Sequence, residues 1–207
     1  MISIDDFKLS CRNEPHDIVV QKYIIEGTSF FFNKISEEKT EFDFKKEIAK
    51  TLDVHIRDIV IVGSGKLGFS LKPDIYSPSV YEYKEFDYDF KQDSTKEKSD
   101  LDIAVISSSL FDKEMRNLFN HTNFYNEESV KIWGNRNNLA KYFLKGRLAT
   151  RFFPIDFKLT QEIREIQSEY QMQYGRKVNI EIYKSWFFFE TYHQQNIQNI
   201  HLNLIAY

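Results

Sequence analysis

The chain has 207 residues, 42% of them hydrophobic and 16% aromatic, with a net charge of −3. That is enough apolar surface for a folded core and too much for an intrinsically disordered protein. A slightly acidic whole excludes nonspecific nucleic-acid binding by overall charge and leaves room only for a local basic surface. Cys11 is the only cysteine, so the chain has neither an internal disulfide nor a cysteine-based metal site, and a reducing cytoplasm is expected. The first residues lack a basic start followed by an apolar run, and no run approaches the ~18 residues of a membrane helix. The expectation is a soluble, unprocessed protein forming a single domain over 1–207.

An irregular start is expected before Pro15, where Ile18, Val19, Tyr23 and Ile24 fall at helical spacing up to Gly27. A second helix begins near Thr40, with Phe42, Phe44, Ile48 and Leu52 as its apolar stripe and acids in its first turn. Ile59 to Val62 are four consecutive β-branched residues, which predict a short buried strand ending in Gly63-Ser64. "SDLDIAVIS" (Ser99–Ser107) predicts another, apolar on both faces after its aspartates, as a central strand should be. Between them, about 74–98 carries seven acids and four bases without a glycine. It reads as an inserted excursion, a hairpin with a mobile tip near Asp93 to Lys98.

Farther on, a serine-capped helix is predicted over "SSLFDKEMRNLFN" and another over Glu128 to Lys145, flexible at Gly134. A polar helix should end at Gly175, followed by a last strand in "KVNIEIY" and a C-terminal helix started by Ser185. The fold class is α/β (α+β), a mixed central sheet flanked by helices, with helices at both ends of the chain.

Asp100 and Asp102 are two apart, so on a strand both carboxylates project from one face. Two such groups repel unless a cation lies between them, and magnesium takes one or two carboxylates with substrate phosphates completing its shell. At the end of the other strand Gly63 lets a ligand approach the backbone, and the Ser64 hydroxyl with turn amides can hold phosphate oxygens. Other groupings fail on chemistry. Asp87, Asp89 and Asp93 lack the oxygen ligand and glycine of a calcium loop at Lys91 and Gln92, and His193 and His201 are two helical turns apart.

"GSGKLGFS" (Gly63–Ser70) followed by "SDLD" (Ser99–Asp102) resembles the nucleotidyltransferase superfamily of DNA polymerase β type, and within it a bacterial subgroup. The resemblance covers about 58–106 and extends loosely to the stretch from Tyr183 to His193. It implies that Gly63, Ser64 and Lys66 meet the triphosphate, and that Asp100 and Asp102 bind two ions of Mg2+ or Mn2+. A nucleoside monophosphate would then pass from an NTP to an acceptor hydroxyl, on an RNA end, a protein or a nucleotide. It further implies a place in bacterial toxin–antitoxin or anti-phage defence. The family's third catalytic carboxylate is assigned to Glu181, with Asp156 as the other candidate. The 36 positions between Ser64 and Asp100 exceed the family's usual separation. The alternative function is a noncatalytic nucleotide-binding or partner-binding module. Finally, 131–158 holds seven basic residues against Asp156 alone, with Trp133, Tyr142, Phe143, Phe152 and Phe153 interleaved. Such a mixture suits phosphate contacts and base stacking, and this segment is expected to guide a polyanion to the cleft through Arg147 and Arg151.

Overall fold

A computed structural model describes residues 2–36, 39–74 and 80–206. In chain order the helices are α1 (Ile4–Asn13), α2 (His16–Val20), α3 (Phe30–Lys34), α4 (Glu41–Leu52), α5 (Ser64–Leu67), α6 (Tyr88–Gln92), α7 (Ser108–His121), α8 (Glu127–Val130), α9 (Arg136–Phe143), α10 (Gln161–Tyr174) and α11 (Trp186–Ala206). The strands are β1 (Ile59–Val62), β2 (Lys72–Pro73), β3 (Tyr81–Glu82), β4 (Leu101–Ile106), β5 (Arg147–Leu148) and β6 (Val178–Tyr183). The fold is therefore α+β, with helices at both ends, as the periodicities require.

The central sheet runs β1-β4-β6-β5, with β4 and β6 parallel and the outer pairings antiparallel. Because side chains alternate across a strand, each of its faces has its own core. Ile59, Ile61, Ile103, Val105, Ile180 and Ile182 pack under α4, α7 and α10. On the other face Val60, Val62, Ala104, Ile106 and Tyr183 pack against α1, α2 and α11. Both faces are covered, which explains why β1 and β4 read as apolar runs, whereas β6 alternates because Asn179 and Glu181 share one of its faces.

Local chemistry sets the helix ends where the sequence signals them. Thr40 and Ser107 accept from the backbone N–H groups of Asp43 and Leu110, and Gly175 ends α10 at φ 56°. Several expectations need correction. The irregular start is the helix α1, capped by Ser3, whose Phe7 and Cys11 are buried. The helix after Pro15 turns into a π-helical segment over Gln21–Ile25. The helix expected over Glu128 to Lys145 is two, α8 and α9, separated around Gly134. The hairpin of the excursion lies earlier than expected, pairing β2 with β3, and its connecting residues 75–79 fall outside the described residues. Asp93 to Lys96 form a turn, with Lys96 N–H donating to the Asp93 carbonyl. Among the described residues no helix is long and apolar enough to cross a membrane.

Candidate functional site

The antiparallel register sets Val62 beside Asp102, so the end of β1 meets the start of β4 and the Gly-Ser turn lies against the aspartates. Contact there is close. Gly63 has φ 67° and ψ −150°, and a Cβ built on it would stand 3.0 Å from Asp102 Oδ2. Glycine alone adopts that backbone freely, and a side chain there would press on the carboxylate.

From the other side β6 delivers Asn179 alongside Asp102 in the parallel register. Its Nδ2 donates to Asp100 Oδ2 at 3.0 Å and to Asp102 Oδ1 at 2.9 Å, so one amide joins the two carboxylates. Gly63, Ser64, Asp100, Asp102 and Asn179 are all partly exposed, and the cluster is open to solvent. Burial raises the proton affinity of Asp102, against the lowering effect of the Asn179 hydrogen bond, and the neighbouring Asp100 charge raises it further. Cationic Arg147 and Lys72 act in the lowering direction.

Two of the remaining expected site residues are engaged elsewhere. Glu181 shares the face of Asn179 but lies farther along β6, beside Ala104, where it is buried and ion-paired to Arg147 of β5. The guanidinium of Arg147 is in turn set against the rings of Tyr192, Tyr142 and Tyr183, at 4.6, 5.2 and 5.7 Å from the centroids. Lys66 is 2% exposed, and its ammonium donates to the carbonyls of Glu26 and Gly27 at 2.7 and 2.6 Å. It ties α5 to the end of the π-helical segment rather than reaching toward phosphate. Asp156, the other candidate acid, is an exposed residue beside His121 at 3.3 Å. Among the described residues no three His, Cys, Asp or Glu side chains are grouped to hold a metal ion.

The donor set is consequently a pair of carboxylates. Asn179 occupies one oxygen of each, which leaves Asp100 Oδ1 and Asp102 Oδ2 for a ligand, the latter over the cradle that a Cβ at Gly63 would fill. Hard oxygens in that number fit a magnesium ion that keeps waters or takes phosphate oxygens in its other positions.

A second network, which the sequence reading missed, fixes the approach to Asp100. Arg176 forms a two-pronged pair with buried Asp87 at 3.0 and 3.1 Å and donates to the Ser99 carbonyl at 2.8 Å. Asp87 and Ser99 also exchange hydrogen bonds, each backbone N–H donating to the other's side chain. The excursion is thus clamped to the residues that lead into β6, immediately before the first aspartate. Nothing in the local sequence signals this, because the partners are 89 positions apart.

Burial pushes the Lys66 ammonium down to about 8 from an ordinary 10.5. Between those values the unfolded chain holds the proton that the folded chain has lost, so the contribution to stability rises with pH across this window. Relative to Lys66→Met, the wild type should gain up to about 3 kcal/mol between pH 8 and 10.5 in urea melts. A constant difference over that range would contradict the buried position of the amine.

The chain matches no protein-family model, no curated protein and no solved structure.

Proposed function

We propose that this chain is a metal-dependent nucleotidyltransferase that binds an NTP with Mg2+ or Mn2+ and passes the nucleoside monophosphate to an acceptor hydroxyl. The observation that supports it is the contact of Gly63 with Asp102: the two motifs that carry the family resemblance, 36 positions apart, meet at adjacent strand ends. The acceptor on this reading is an RNA end, a protein or a nucleotide, the compartment is the cytoplasm, and the setting is bacterial defence.

Each residue has a physical part. Ser64 donates its hydroxyl to a phosphate oxygen, and the absent side chain at Gly63 lets that phosphate come near the carboxylates. Asp100 and Asp102 would hold the cation, and Asn179 keeps their oxygens in register. Bound there, the metal would supply Lewis acidity that lowers the pKa of the acceptor hydroxyl and offsets charge on pyrophosphate. The new bond joins the acceptor oxygen to the α-phosphorus as the bond to pyrophosphate breaks, and positioning with charge stabilisation carries most of the rate.

The second reading, nucleotide binding without turnover, draws on the ion pair that removes Glu181 from the metal set. Calorimetry with the four NTPs, with and without Mn2+, tests both. Metal should strengthen binding in the wild type, and Asp102→Asn should remove most of that gain. Ser64→Ala should weaken triphosphate more than monophosphate, by about 1.5–3 kcal/mol for a charge-assisted hydrogen bond. Equal affinity with and without metal would overturn the metal-dependent reading, and metal-dependent binding without pyrophosphate release would select the second reading. Since protons compete with the ion for Asp102, whose proton affinity burial raises, metal-dependent affinity should begin to fall above the ordinary carboxylate range as pH drops. A loss beginning only below pH 4 would show Asp102 to be solvated.

A further inference from the structure

We infer that this chain binds a small organic monoanion, a carboxylate on an apolar body, in the cavity that Lys66 lines between α3 and α5, a site separate from the aspartates. An unmatched buried charge carries this. Among the described residues three cationic side chains are buried, and two of them face carboxylates, Arg147 with Glu181 and Arg176 with Asp87. Lys66 has no such partner. Its ammonium has three N–H groups, of which two donate to the Glu26 and Gly27 carbonyls and the third has no acceptor among the described residues. Glu41, the acid whose charge acts on it most, is already engaged by Lys45 at 2.7 Å and by the Ser29 backbone N–H at 2.6 Å. Glu26 is exposed and accepts from Gln21, and the Lys45 charge opposes a second cation. A buried cation without counter-charge is costly, and burial accordingly holds Lys66 down to about 8.

The cavity measures about 440 Å³, within the range of small-molecule sites. Its lining divides by chemistry. Ile2, Phe30 and Leu67 are apolar and buried or half-buried, whereas Thr28, Asn33 and Lys34 are polar and exposed. A carboxylate on the remaining N–H of Lys66 supplies the missing counter-charge, and an apolar body covers Phe30 and Leu67. Lys34 is exposed and screened by water, so a single buried charge awaits a partner and a monoanion matches it.

Calorimetric titration with benzoate and with hexanoate tests this, with benzamide as the neutral isostere of benzoate. At pH 7 the wild type should bind both carboxylates, and benzamide at least about tenfold more weakly than benzoate, as loss of a charge-assisted hydrogen bond requires. Lys66→Met, which keeps the length of the side chain without its charge, should lose benzoate affinity at least about tenfold and no longer distinguish benzoate from benzamide. Lys34→Met should change it less than about threefold. Bound carboxylate favours the protonated amine, so wild-type affinity should be level up to pH 7.5 and fall about tenfold between pH 8 and 9.5, as Lys66 loses its proton in the empty site. Melting curves establish that each variant is folded, and the benzamide and pH comparisons need no variant. No binding of either carboxylate, equal affinity for benzoate and benzamide, undiminished binding in Lys66→Met, or affinity unchanged up to pH 9.5 would each overturn the inference. Displacement of benzoate by inorganic triphosphate would overturn it too, by placing phosphates at Lys66.

Discussion

Arg147→Glu is expected to cost at least about 3–5 kcal/mol of stability, a large share of what an ordinary domain has. The substitution replaces the cation of a buried ion pair with a second acid facing Glu181, inside a ring of tyrosines that favours a cation. Arg151→Glu should cost about 1 kcal/mol or less, because Arg151 is exposed and only leans on the rings of Phe152 and Tyr142. Urea melts of the two single variants distinguish them, and equal small losses would show Arg147 to be a solvated surface residue. The consequence for function is direct. Trp133 and Phe153 are core residues, with the indole N–H donating to the Phe152 carbonyl, so those aromatics and Arg147 do not form part of a polyanion surface. Any guidance of RNA by 131–158 must come from exposed Lys131, Lys141, Arg151 and Lys158 and partly exposed Arg136 and Lys145. A salt series on Arg151→Glu is the suitable measurement, whereas reversing Arg147 would confound binding with unfolding.

Arg176→Ala should have an effect of similar size and add a functional loss. Removing the guanidinium leaves the buried Asp87 carboxylate unpaired and the Ser99 carbonyl without its donor, at a cost of about 3–5 kcal/mol. Because Ser99 precedes Asp100, the carboxylate pair should lose its fixed geometry, and metal-dependent NTP affinity should fall even at temperatures where the variant stays folded. Arg176→Lys should recover part of the stability, since one ammonium cannot reproduce the two-pronged contact with Asp87. Wild-type melting in Arg176→Ala would show that the excursion is held by the hairpin and α6 alone.

The strands that build the site were legible for simple reasons: β1 and β4 are short, β-branched and apolar beyond the aspartates, as a covered central sheet requires, and β6 alternates between apolar and polar residues. Helix ends were legible wherever a side chain caps its own backbone, as at Thr40, Ser107 and Gly175. The N-terminal helix carried the same signal, Ser3 ahead of Asp5 and Asp6, yet reads as irregular because only Phe7, Ser10 and Cys11 face inward. Two-residue β5 left no pattern at all, and with it the partner of Glu181 was invisible.

By itself, then, the sequence determined which atoms are available for chemistry: the flexible Gly63, the Ser64 hydroxyl, and two aspartates on one strand face. Those follow from residue type and a period of two, both local properties. The tertiary structure decided how these groups are used. Whether Glu181 joins the aspartates depends on Arg147, 34 positions away, and whether Lys66 meets phosphate depends on carbonyls 39 and 40 positions away. Asn179 lies beside Asp102 only because β6 pairs parallel to β4 in one register, and a shift of one residue would have turned its amide to the opposite face. A charge is assigned its role by what desolvates and pairs it, and that is fixed only when distant segments pack.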